Sequence, residues 1–225
     1  MKAGKFIRKY NHIWTLLYIV FYMPWFMWLE KTVTTDFHLV SMPIDYKIPF
    51  CEYFIIPYFM WFLFVPAIVG YEFFYSKKEY YQCCAYLFSG MTIFLIVSTL
   101  WPNGQHLRPA VMPRDNIFTR MVAALYRTDT PTNLWPSIHV YNSLGAHFAI
   151  IRSKCFEKKK GIRIGSLILA SSIILATMFI KQHSVFDVLT AFVMAAIMYT
   201  LVYRYDLLIA VREFRNKRKA KPQID

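Results

Sequence analysis

Six segments of this chain are apolar for at least 17 residues: 13–29, 54–70, 82–101, 135–151, 164–180 and 184–203. An α-helix needs about 20 such residues to cross a bilayer core, with about 17 as the lower bound. Four of the segments carry no charged residue; 135–151 holds His139 and His147, and 184–203 holds Asp187. The pattern predicts an all-α polytopic membrane protein with six transmembrane helices forming one domain, 1–225. Two long loops, 30–53 and 102–134, join spans one to two and three to four. Within the second loop, Ile117, Phe118, Met121, Val122, Leu125 and Tyr126 repeat at helical spacing. This predicts an amphipathic helix lying at the interface.

Composition agrees. Of 225 residues, 57% are hydrophobic and 17% charged, against about 25% charged in soluble domains. The net charge of +13 would suggest nucleic acid in a soluble protein, but its distribution suggests a membrane. Lys2, Lys5, Arg8 and Lys9, then Lys77 and Lys78, then Arg152 to Arg163, then Arg204 and the basic tail 212–225 fall on one side. They account for 19 of the 26 Lys and Arg residues. The positive-inside rule places that side, with both termini, in the cytoplasm. No nucleic-acid partner is needed, and the membrane is expected to be the plasma membrane. The first span lacks a small-residue cleavage site after Leu29 and reads as uncleaved. Cys51, Cys83, Cys84 and Cys155 have neither metal-ligand nor disulfide spacing and read as apolar fillers.

Ionisable groups within spans are costly and usually functional. Here they gather at one depth on the outer side: Arg108 after the third span, His139 at the start of the fourth, His183 and Asp187 at the start of the sixth. Residues four apart share a helix face, so Asp187 can hold one nitrogen of His183 and leave the other nucleophilic. The stretch Trp135-Pro136-Ser137-Ile138-His139 reads as a helix start with Pro136 in the first turn. Its N–H groups and the Ser137 hydroxyl are suited to phosphate oxygens. Arg108 adds a planar fork of donors. His147 reads as a packing contact, and His12, His38 and His106 have no partner at readable spacing. Two alternatives remain open: a two-His-one-carboxylate metal site, and a transporter whose polar groups line a path. The gathering at one face counts against the transporter, and Arg108 counts against a cation. No metal and no cofactor is expected.

Arg108-Pro109, Pro136-Ser137-Ile138-His139 and His183-x-x-x-Asp187 resemble, in order and placement, the three signature motifs of the type 2 phosphatidic acid phosphatase superfamily. The resemblance implies a metal-independent lipid phosphatase working through a phosphohistidine. His183 would be the nucleophile, Asp187 its activator and His139 the proton donor to the leaving lipid oxygen. Arg108 and Ser137 would bind the phosphoryl group of a lipid phosphate in the bilayer, at the extracytoplasmic face. The chain departs from the family at Trp101, Ile138, Ala176 and Thr177, where the motifs have Lys, Gly, Ser and Arg. Lys181 and Gln182 are candidates to replace the missing phosphate ligands. In these departures the chain looks more like the branch containing inositol phosphorylceramide synthase. Members of that branch transfer a phospho-headgroup to an alcohol, and such transfer is the alternative to hydrolysis.

Overall fold

The computed structural model describes residues 9–206; Lys2, Lys5, Arg8 and the basic tail 212–225 lie outside the described residues. Of the described residues 73% are helical. Seven α-helices follow in order: α1 (Tyr18–Thr32), α2 (Ile55–Tyr75), α3 (Lys77–Leu100), α4 (Ile117–Thr128), α5 (Ile138–Arg152), α6 (Lys160–Phe179) and α7 (Val185–Tyr199). A 3-10 stretch, Asn11–Leu17, leads into α1, and a π-helical turn, Thr200–Arg204, continues α7. Five of the resulting rods are long and apolar enough to cross a membrane: Asn11–Thr32, Glu52–Tyr75, Lys77–Leu100, Lys160–Phe179 and Val185–Arg204. Large apolar side chains such as Phe21, Leu63, Leu189 and Val193 face outward, as a lipid-contacting surface requires.

The expected fourth span is the exception. Helix α5 has only 15 residues, and among the described residues it does not join the set of long apolar rods. The reason is its position. α5 packs against α2, α3, α6 and α7, and a continuous run from Val140 to His147 is buried. A helix surrounded by protein need not present a lipid-compatible surface, so it tolerates polar groups. His147 Nδ1 meets Ser166 Oγ of α6 at 2.8 Å, the polar packing contact read from the sequence. Against α3 the fit depends on small residues. Gly145 admits the Tyr86 ring and Gly90 admits the Tyr141 ring. The two rings stack at 4.6 Å, and the Tyr141 hydroxyl donates to the Tyr86 carbonyl at 2.7 Å.

The two long loops, 30–53 and 102–134, fold over one end of the bundle. A short parallel pairing, His38–Leu39 with Asn103–Gly104, ties them together; no strand was expected from the sequence. Helix α4 forms where the amphipathic spacing predicted it. Asn116 caps it, accepting from the Thr119 N–H at 3.0 Å. Its face of Phe118, Met121, Val122, Leu125 and Tyr126 packs on Ile55, Tyr58, Ala176 and Ile180. Arg114 holds the fully buried Glu52 through two bonds of 2.7 and 2.6 Å, and Asn116 adds a third at 2.9 Å. The α4 entry is thereby fixed to the start of α2, a link the sequence did not indicate.

Candidate functional site

The turn between α6 and α7 builds the centre. The N–H groups of Gln182 and His183 both donate to the Thr177 carbonyl, at 2.8 and 3.0 Å. Ser184 then caps α7, and Asp187 Oδ2 accepts its N–H at 3.0 Å. Asp45, from the first long loop, accepts from Ser184 Oγ at 2.6 Å and from the Val185 N–H at 2.7 Å. This buried carboxylate is a support that the sequence did not single out.

So fixed, Asp187 Oδ2 lies 3.3 Å from His183 Nδ1, and His183 Nε2 lies 3.4 Å from His139 Nδ1. His139 stands in the first turn of α5 between the rings of Tyr58 and Trp61, each 4.7 Å away. Three residues expected to act together therefore meet, although they lie on two helices and a turn. Burial, followed by the nearby Arg108 charge, pushes the His183 imidazole down to about 3. The shift favours the neutral imidazole, whose Nε2 is turned away from Asp187. Both histidines line a cavity of about 310 Å³. Its walls include Tyr22 and Phe26 of α1, Phe62 of α2 and Phe94 of α3, so it runs from the histidines along the apolar rods.

The expected phosphate ligands fare differently. Arg108 reaches the site but is held. Its Nη1 donates to the Asp129 carbonyl at 2.7 Å, and its Nη2 donates to the Thr130 carbonyl at 3.1 Å and to Gln182 Oε1. Its plane lies over the Tyr126 ring, and its Nε is buried without a partner. Gln182 lines the cavity and donates to Asp129 Oδ2 at 3.1 Å. Lys181 corrects the expectation: its Nζ turns away to the carbonyls of Asp45 and Ile48, at 2.7 and 2.5 Å. The left-handed backbone at Lys181, φ 55°, sends its side chain into the loop. Ser137 is also redirected. It is the N-cap of α5 and fully buried; its Oγ accepts from the Val140 N–H at 3.4 Å, and its own N–H donates to the Asp187 carbonyl at 3.3 Å. Pro136 consequently precedes the cap and does not occupy the first turn. Among the described residues no group of three His, Cys, Asp or Glu side chains is placed to hold a metal ion, so the metal alternative gains no support.

Two carboxylates missed in the sequence, Glu30 and Asp129, line the same cavity. Isolated acids in loops carry no periodic signal; the turn-rich run Thr128-Asp129-Thr130-Pro131-Thr132-Asn133 was the available hint. Burial raises the Asp129 carboxyl to about 6, with Arg108 acting in the opposite direction. Its folded value lies above the unfolded ~3.9, so proton uptake stabilises the fold as pH falls through about 6, and the ionised form costs stability above it. Asp129→Asn is therefore expected to raise the melting temperature at pH 7.5 and to give little gain at pH 4, as thermal unfolding in detergent would measure.

No protein-family model, no curated protein and no solved structure matches this chain.

Proposed function

We propose that the protein is a six-span membrane enzyme that cleaves a lipid phosphate ester through a phosphohistidine. The observation that carries this reading is the contact of Asp187, His183 and His139 in series, at the head of a cavity walled by apolar rods. In this reading His183 Nε2 attacks phosphorus and the P–O bond to the lipid alcohol breaks. The leaving oxygen takes a proton from His139. The acceptor then loses a proton to His139 as it attacks the phosphohistidine, releasing His183. Asp187 accepts from Nδ1, which keeps Nε2 free and stabilises the imidazolium character that develops. Arg108, with Gln182, orders the loop beside the phosphoryl position.

Helix α5 serves as the short fourth span of the six, and α4 lies at the outer interface. The basic turn between α5 and α6, with Lys154 and Lys158–Lys160, stands about 20 Å from the histidines at ~1.5 Å rise per residue. With that turn cytoplasmic, the site faces outward in the plasma membrane and both termini face the cytoplasm. Water is the acceptor in the first reading. An alcohol acceptor is the second, favoured by the apolar wall that Leu134 and Ile138 give the cavity beside the histidines.

The test is a release screen of the purified protein over phosphomonoester, diphosphate and phosphodiester lipids, with and without an added alcohol. Release is expected to survive EDTA and to be inhibited by vanadate. Release that stops with EDTA and returns with a divalent ion would refute the metal-free mechanism.

A further inference from the structure

A dianionic phosphate calls for cations, and the cavity presents few. Among the described residues Lys181 ends elsewhere, and Arg108 is already engaged by three backbone carbonyls, by Gln182 and, at 3.9 Å, by the Asp129 carboxylate. The charged side chains that line the cavity are Glu30 and Asp129. A phosphomonoester dianion or a diphosphate would enter against these two like charges, that of Asp129 partly offset by Arg108, in a low-dielectric space.

The hydrogen-bonding inventory points the same way. Glu30 Oε1 accepts from Asn133 Nδ2 at 2.9 Å, and Oε2 accepts from Thr130 Oγ1 at 2.6 Å. The first bond fixes which way the Asn133 amide faces. Its Oδ1 is then an acceptor without a donor, on a side chain only 5% exposed that lines the cavity. At the histidine end the polarity reverses. The Nε1–H of Trp61 is a buried donor without an acceptor, on a ring packed against His139. One end of the cavity thus awaits an acceptor and the other awaits a donor. A phosphoryl oxygen satisfies the first and an ammonium the second.

We infer that the substrate is a zwitterionic phosphodiester lipid whose headgroup ends in a primary ammonium, with Glu30, Asp129 and Asn133 as the ammonium seat. A primary ammonium offers three N–H donors, which a trimethylated one lacks, and Asn133 Oδ1 requires one. The Gln182 bridge, bonded to Asp129 and adjacent in sequence to His183, sets the seat one side chain from the nucleophile. The inference rests on the phosphohistidine reading and names its substrate. In the balanced step the N–P bond forms at His183 as the bond from phosphorus to the diacylglycerol oxygen breaks, and that oxygen takes its proton from His139. The amino-alcohol stays on phosphorus. Water or an alcohol then attacks phosphorus and yields its proton to His139. The products are diacylglycerol and a phospho-amino-alcohol, free or transferred.

The test measures diacylglycerol release from vesicles of phosphatidylethanolamine, phosphatidylcholine, phosphatidylglycerol and phosphatidate, by the wild type and by His183→Ala. Phosphatidylethanolamine is expected to turn over at least about tenfold faster than the others, a difference one lost charge pair can supply. Glu30→Gln and Asp129→Asn should each reduce that preference several-fold while release remains dependent on His183. Asp129→Asn keeps an amide oxygen for Gln182, which guards against loss of the loop. Preference for phosphatidate, phosphatidylglycerol or phosphatidylcholine, or a preference unchanged in both variants, would overturn the ammonium seat and leave the phosphohistidine reading standing. Absence of His183-dependent release from every lipid would overturn both.

Discussion

His183→Ala is expected to abolish turnover, with a loss on the order of 10⁴-fold or more, the scale seen when a catalytic unit loses its nucleophile. The expectation follows from what the imidazole touches. Nδ1 faces a carboxylate that is itself fixed by the α7 cap, and Nε2 faces the cavity and His139. Among the described residues no other side chain at the histidine end offers an imidazole nitrogen with a positioned carboxylate behind it. Asp187→Asn should also slow the reaction by orders of magnitude, because an amide can favour the wrong tautomer. Substrate affinity should change little, since Asp187 is fully buried behind His183. His139→Ala should be damaging for a lipid alcohol, a poor leaving group, and milder for p-nitrophenol, which departs without a proton. Rapid quench with radiolabelled substrate should trap an acid-labile, base-stable phosphoryl adduct on His183. An adduct on His139, or no adduct in a fully active preparation, would sink this assignment of roles.

The parts of the site that were legible in the sequence are those set by periodicity. His183 and Asp187 four apart define one helix face, and His139 after Pro-Ser marks a helix start at the same depth. The apolar runs likewise marked the rods, because lipid imposes a composition on whatever it touches. Loop geometry was not legible. Whether Lys181 points into the cavity is decided by one left-handed residue and by two carbonyls from a loop more than 130 positions away. Ser137 has the residue type of a phosphate ligand and equally that of an N-cap; the fold uses it as the cap. Glu30 and Asp129 matter through the wall they share, which exists only once α1 and the second loop meet. For the same reason the 135–151 segment is one of the two expected spans that carry histidine or carboxylate side chains. Hydropathy reports contact with lipid, and α5 is instead surrounded by helices.

Gly90→Ala is expected to be among the most destabilising single-methyl changes in the described chain. A Cβ built at this position would lie 2.1 Å from Tyr141 Cε1 and 2.3 Å from Cζ. Those atoms cannot step aside cheaply. The Tyr141 ring is fully buried, stacked on Tyr86 at 4.6 Å, and its hydroxyl is bonded to the Tyr86 carbonyl at 2.7 Å. Tyr86 is in turn fitted over Gly145. Relief therefore requires α3 and α5 to separate or the Tyr141 bond to break. Overpacking of this kind costs about 1–3 kcal/mol and occasionally more, and the broken buried bond adds about 1 kcal/mol. A shift of α5 also moves His139, so activity should fall along with the melting temperature. The double variant Gly90→Ala with Tyr141→Leu removes the obstructing ring and should recover part of the stability lost by the single change, a coupling that thermal unfolding in detergent can read as a double-mutant cycle. Strict additivity of the two changes would mean that the α3–α5 contact is looser than these rings describe.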